Sequence, residues 1–102
     1  MGFNYKSIDE VLTGRLRLAV MAFLMAAERS NFSELLKATD ASKGNLGAQI
    51  RILEGAGYIA VSRTGIGRHS HMVVEISPIG SKAFQAHIAH LQSLIKGTGN
   101  DT

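Results

Sequence analysis

The sequence predicts a mainly α-helical domain with one small β-hairpin, in the order helix, helix, helix, hairpin, helix. Apolar residues recur at helical spacing before the hairpin and again after it. Two alternating stretches, "YIAVSR" and "HSHMVVEI", flank the glycine-rich "TGIGR", which is the pattern of two strands and their turn. Polar residues that cap helices, Asn31 or Ser33, Ser42 and Ser77, stand where the apolar periodicity restarts.

Composition narrows the class. With 102 residues, a net charge of +3 and no cysteine, the chain reads as one small soluble domain over 1–102. The ordered part is expected at about 8–96, with a polar tail at 97–102. Lack of cysteine excludes disulfides and thiolate metal sites and suits a reducing cytoplasm, where the protein is expected. The positive excess is local. Residues 1–40 balance acids against bases, whereas 41–76 carry Lys43, Arg51, Arg63 and Arg68 against Glu54 and Glu75. An anionic partner should meet that middle third.

Taken in order, residues 1–7 carry little pattern and form an arm. Across 8–28, Leu16, Val20, Phe23, Leu24 and Ala27 make one apolar stripe, and Leu18, Met21 and Met25 a second. A helix apolar on two sides is buried on two sides. Gly14 marks a break between a short leading helix and the main one. The run "RLRLAVMAFLMAA" has the look of a signal peptide but starts too far along the chain, behind Asp9 and Glu10, and is too short to span a bilayer.

Phe32, Leu35 and Leu36 give a short second helix its buried face, and a tight turn at 39–41 follows. Ser42 then caps a third helix whose core face is Leu46, Ile50 and Leu53, and Gly55 and Gly57 stop it. Two helices joined so closely make a helix-turn-helix. In the hairpin, Ile59 and Val61 share one face of the first strand. On the second strand Met72, Val74 and Ile76 share a face, and His69, His71 and Glu75 the other. Ser77-Pro78 starts the last helix, with the stripe Phe84, Ile88, Leu91 and Ile95.

A helix-turn-helix followed at once by a hairpin is the arrangement of a winged helix. The segment "NFSELLKATDASKGNLGAQIRILEGAGYI" resembles the winged-helix regulators of the MarR and ArsR type, in particular their small one-domain group. The shared residues are Phe32 and Leu35, then Gly44-Asn45-Leu46, then Leu53-Glu54, Gly57, Tyr58 and Ile59; "ISPIG" at 76–80 resembles the segment that follows the wing, and "RLRLAVMAFL" the first helix. The resemblance covers about 8–95 and implies a homodimeric DNA-binding transcriptional regulator. Its recognition helix, 42–55, would lie in the major groove, and its wing, 63–70, on the backbone or in the minor groove. The chain departs from the pattern at Gly47, Gln49 and Ile52, where such regulators often carry serine or threonine, histidine, and a basic residue.

Projected at 100° per residue, Gly44, Ala48 and Arg51 lie opposite the core face of the recognition helix, flanked by Asn45, Gly47 and Ile52. Asparagine and glutamine pair with adenine, and arginine with guanine, so Asn45, Gln49 and Arg51 are expected at base edges. Lys43 belongs at phosphate, Ser42 at the cap is counted with the DNA-binding residues, and Arg63 and Arg68 bracket the turn of the wing. Gly44 and Gly47 each cost a helix about 1 kcal/mol relative to alanine, which raises the question of what they are for. Ile52 either touches a thymine methyl or marks a protein-binding surface.

The dimer interface is expected from Leu18, Met21 and Met25 with Phe84, Ile88, Leu91 and Ile95, and any small-molecule effector would have to bind there. His69 and His71, and His87 with His90, raise a metal-binding hypothesis, but there is no third ligand in sequence, so no metal or other cofactor is expected. No nucleophile–base pair or phosphate loop points to an enzyme. The alternative to a DNA-binding regulator is a winged helix used for protein–protein contact.

Overall fold

Two 3-10 turns, Tyr5–Ser7 and Val11–Thr13, lead through Gly14 into α1 (Arg15–Ala27). The computed structural model describes residues 5–67 and 70–99. A short strand β1 (Arg29–Asn31) precedes α2 (Phe32–Thr39), which a tight turn joins to α3 (Lys43–Gly55). Strands β2 (Ile59–Thr64) and β3 (His71–Ile76) form the hairpin, and α4 (Pro78–Gly99) closes the order. Among the described residues, no helix is long and apolar enough to cross a membrane.

The core is built by the stripes the sequence displays. Leu12, Val20, Met21, Leu24, Leu35, Leu46, Ile50, Leu53, Ile59 and Val74 form one buried cluster, with Leu16, Phe23, Phe32, Leu36 and Phe84 packed against it. Met21 departs from expectation. It belongs to the second stripe by spacing but is fully buried in its own subunit, because the core arc of α1 is wider than one stripe. It therefore offers no surface to a partner. Leu18 and Met25 are half-buried outside that cluster.

Local chemistry sets the helix starts. Asn31 accepts the Glu34 N–H (2.8 Å) while Glu34 accepts the Asn31 N–H (3.1 Å), a reciprocal capping box. That backbone N–H, with the Ser30 hydroxyl donating at 3.0 Å, holds the Glu34 carboxyl below the usual range. Asp40, with φ of 54°, ends α2 in the left-handed conformation and turns the chain toward Ser42.

The sheet has three antiparallel strands in the order β1-β3-β2, with Arg29 opposite Glu75, Ile59 opposite Ile76 and Thr64 opposite His71. β1 was not expected: three mostly polar residues carry no alternation and become a strand only because the β3 edge lies beside them. Val74 is buried while His71 and Glu75 are exposed, the faces the alternation assigns.

The start of α4 is pinned to the start of β2. Ser77 donates its N–H to Tyr58 O (3.1 Å) and its hydroxyl to Gly57 O (2.6 Å), and its Oγ accepts the Gly80 N–H (2.9 Å). A Cβ on Gly80 would overlap the Tyr58 carbonyl oxygen and lie 2.7 Å from its carbon, so the helix backbone directly touches the backbone just before β2. Contrary to the expected tail at 97–102, α4 runs on through Gly99. At 22 residues it is roughly 33 Å long, and the radius of gyration, 15.7 Å, exceeds the roughly 13 Å of a compact chain this size.

Asp9 ties the leading segment to the end of α3. One oxygen accepts the Val11 N–H (2.9 Å) and the other the Tyr58 hydroxyl (2.5 Å). The hydrogen bond to Asp9, followed by burial and by the Asp9 charge, pushes the Tyr58 hydroxyl up to about 12 from 10.0. The folded state thus keeps a proton that the unfolded chain loses first. This stabilisation is complete below pH 10 and disappears as pH rises through 12. In an alkaline titration followed by tyrosinate absorbance, Tyr58 should ionise near pH 12 and return toward its ordinary value in Asp9→Asn.

Candidate nucleic-acid interface

The rotation of α3 about its axis decides what the domain presents. Ser42 caps the helix, accepting the Asn45 N–H at 3.2 Å, and Leu46, Ile50 and Leu53 press it into the core. The other side turns outward: Lys43, Gly44, Asn45, Arg51 and Ile52 are exposed, and Gly47, Ala48 and Gln49 are half-buried.

Packing among the described residues does not explain the two helix glycines. A Cβ on Gly44 would meet nothing within 4 Å, and one on Gly47 would meet only the Arg51 Nη1 at 4.0 Å. Both have helical backbone that alanine adopts readily. They leave the α3 backbone bare toward solvent, flanked by Lys43, Asn45 and Arg51.

Ser42, Lys43, Asn45, Gln49 and Arg51 are therefore gathered on one helix, and Gln49 is already engaged within the chain. Its Oε1 accepts from Arg17 Nη1 (2.6 Å), and its Nε2 donates to Asn45 Oδ1 (3.1 Å). Arg17, on α1, escaped the sequence reading. It also donates from Nε to Val11 O (2.7 Å), and a Cβ on Gly14 would lie 2.5–2.9 Å from its guanidinium. Gly14 is thus both a break before α1 and the space into which Arg17 folds back. No local signal could have found Arg17, since its role comes from the approach of α1 to α3. Arg17, Arg15, Asn45 and Gln49 share a cleft of about 510 Å³.

The wing contributes separately. Arg63, exposed on β2 opposite Met72, lines a cleft of about 330 Å³ with Asn31, Phe32, Ser33 and His71, which no α3 residue borders. Gly65 and Gly67, with φ of 89° and 59°, make the turn, and between them Ile66 is 88% exposed. An apolar wing tip was not anticipated, though an isoleucine between two glycines is its signal. Arg68 and His69 lie outside the described residues. His87 is buried, its Nδ1 has no hydrogen-bond partner among the described residues, and it shares a cleft with Ser7, Asp9 and His90 that no described residue of α3 or the wing lines.

A helix-turn-helix followed at once by a β-hairpin defines the winged-helix class of DNA-binding domains. A family model for the winged-helix DNA-binding domain matches residues 16–95, and the chain belongs to that family. Among solved structures it is similar to a transcriptional regulator homologue from Pyrococcus horikoshii OT3, at 30% identity and a TM-score of 0.84, over 93% of this chain and 96% of that one. A MarR-family protein from Enterococcus faecalis V583 aligns at 18% identity and TM-score 0.71, over 97% and 94% of the two chains. The Bordetella bronchiseptica regulator BpsR, whose DNA binding is regulated by 6-hydroxynicotinic acid, aligns at 16% and 0.72, over 95% and 73%. Among curated proteins none matches significantly. The fold is thus that of MarR-type regulators, and the proteins it resembles are transcriptional regulators, not enzymes.

If Gly44 and Gly47 serve no packing role, replacing either with alanine should stabilise the fold by about 1 kcal/mol. Thermal or urea unfolding of Gly44→Ala and Gly47→Ala measures this, and a loss of stability would mean that the glycines have a structural role in the chain itself.

Proposed function

We propose that the protein is a homodimeric regulator that binds duplex DNA, with α3 in the major groove and the wing on the backbone or minor groove. The observation that carries this reading is the bare α3 backbone at Gly44 and Gly47, kept at a cost in helix propensity with nothing among the described residues to fill it. Clearance of this kind lets a helix approach a groove wall closely. Lys43 at the capped N-terminus suits phosphate, Arg51 and Asn45 suit base edges, and Arg63 with Arg68 suits the backbone beside the wing.

The dimer rests on α4. Ile88 and Ile95 are 36% and 72% exposed, with Leu91 half-buried between them, on a helix that extends beyond the core. Phe84 packs partly into its own core, and Met21 is excluded by its burial, so the interface is centred on Ile88, Leu91 and Ile95 with Leu18 and Met25. A two-fold dimer would set two α3 helices on half-sites roughly one turn of DNA apart. Ile52, 44% exposed on the α3 face, is the observation that favours the second reading, a protein-contact module.

Fluorescence anisotropy with a duplex selected from random sequence distinguishes them. Affinity should fall steeply with salt, and Lys43→Ala, Arg63→Ala and Arg68→Ala should each lower the slope of log K against log salt by about 1. Ile88→Asp with Ile95→Asp should yield monomers in sedimentation and weaken binding. Undetectable binding at low salt would leave the protein-contact reading in place.

A further inference from the structure

The contact between α1 and α3 fixes more than the position of a side chain. An arginine carries only donors, so the atom of Gln49 that faces Arg17 at 2.6 Å has to be the amide oxygen. That leaves Nε2 on the other side, where it needs an acceptor, and the atom of Asn45 at 3.1 Å is therefore Oδ1. The orientation of both amides follows from one guanidinium, with no free choice at either. Arg17 is itself held by Val11 O at 2.7 Å and, more weakly, by Glu10 O at 3.5 Å.

The consequence is a directional chain, Arg17 to Gln49 to Asn45, in which each amide oxygen is turned inward to accept. The N–H groups that this chain does not use are both of those on Asn45 Nδ2 and the second on Gln49 Nε2, whereas each oxygen, already accepting one bond, keeps a single lone pair. The positive charge at the head of the chain polarises it in the same sense, strengthening the outer donors. Bidentate pairing with adenine needs an amide's oxygen and nitrogen side by side on the base edge, and here each oxygen is already turned to accept from its neighbour in the chain. Guanine, which offers O6 and N7 as two adjacent acceptors, fits an edge on which N–H donors outnumber the remaining lone pairs.

Building on the reading of α3 as a groove-binding helix, we propose that Arg17 is a positioning residue that sets the hydrogen-bond polarity of Asn45 and Gln49, so that this edge selects guanine over adenine. The bidentate adenine contact expected for these residues from their side-chain type alone is thereby replaced. Two substitutions separate polarity from mere support. Arg17→Met removes the donor and the charge, freeing the Gln49 amide to turn. Gln49→Glu keeps a partner for Arg17 but presents only acceptors, which obliges Asn45 to turn its Nδ2 inward and its Oδ1 outward.

The test is selection of bound duplexes from a randomised library with the wild-type protein and each variant, followed by titration of the selected duplex carrying guanine or adenine at the position that changes. Circular dichroism melts check folding, and if Arg17→Met does not fold, Gln49→Glu carries the test alone. The wild type should favour guanine by about tenfold at one position per half-site, Arg17→Met should lose that preference, and Gln49→Glu should shift it toward a base offering a donor. Lys43→Ala should weaken all duplexes alike. Selected sequences that prefer adenine, or variants that select the same base as the wild type, overturn the proposal while leaving DNA binding intact. Absence of any DNA binding by the wild type overturns both the proposal and the reading on which it rests.

Discussion

Burial of Leu46, Ile50 and Leu53 is the constraint on which the rest of the molecule depends. These side chains are 0%, 2% and 0% exposed, and together they fix both the position and the rotation of α3. Burying a leucine or isoleucine contributes about 1.5–3 kcal/mol, so rotating the helix to present another face would forfeit several kcal/mol. With the rotation fixed, the outward residues follow by geometry: Gly44, Ala48 and Arg51 at the centre, Asn45 and Gln49 on the flank toward α1. The cap at Ser42 and the turn at Asp40 then set where the helix begins relative to α2.

On that frame the glycines acquire a physical meaning. A helix optimised only for folding would carry alanine at 44 and 47, where the Cβ would meet no clash. Retaining glycine sacrifices about 2 kcal/mol in total, a substantial part of the stability of a small domain. Gly80 provides the contrast, because there the Tyr58 carbonyl leaves no room for a Cβ. Gly80 serves the fold, and in the proposed reading Gly44 and Gly47 leave clearance for a DNA groove. Stability given up at a surface intended for a partner is an ordinary trade in binding proteins.

Much of this was legible in the sequence because it rests on local rules. The helix caps, the alternation of the strands, the proline at the start of α4 and the core face of α3 are all short-range patterns, and each corresponds to the observed element. What was not legible depends on which elements meet. β1 exists through the edge of β3, and Met21 is internal because several elements converge on α1. Arg17 matters because α1 begins beside α3. The hydrogen bond that engages Gln49 has the same origin, because the neighbour that makes it lies 32 residues away in the chain.

The most direct test of α3 as the contact surface is amide NMR of the labelled protein titrated with its selected duplex. If the bare backbone lies against DNA, the largest shifts will fall on the amides of Lys43, Gly44, Gly47 and Ala48, with a second set at Arg63–Gly67 in the wing. Those of α4 around Ile88–Ile95 will move little. Shifts concentrated on α4, or an α3 backbone left unperturbed by a duplex that binds, would contradict the account.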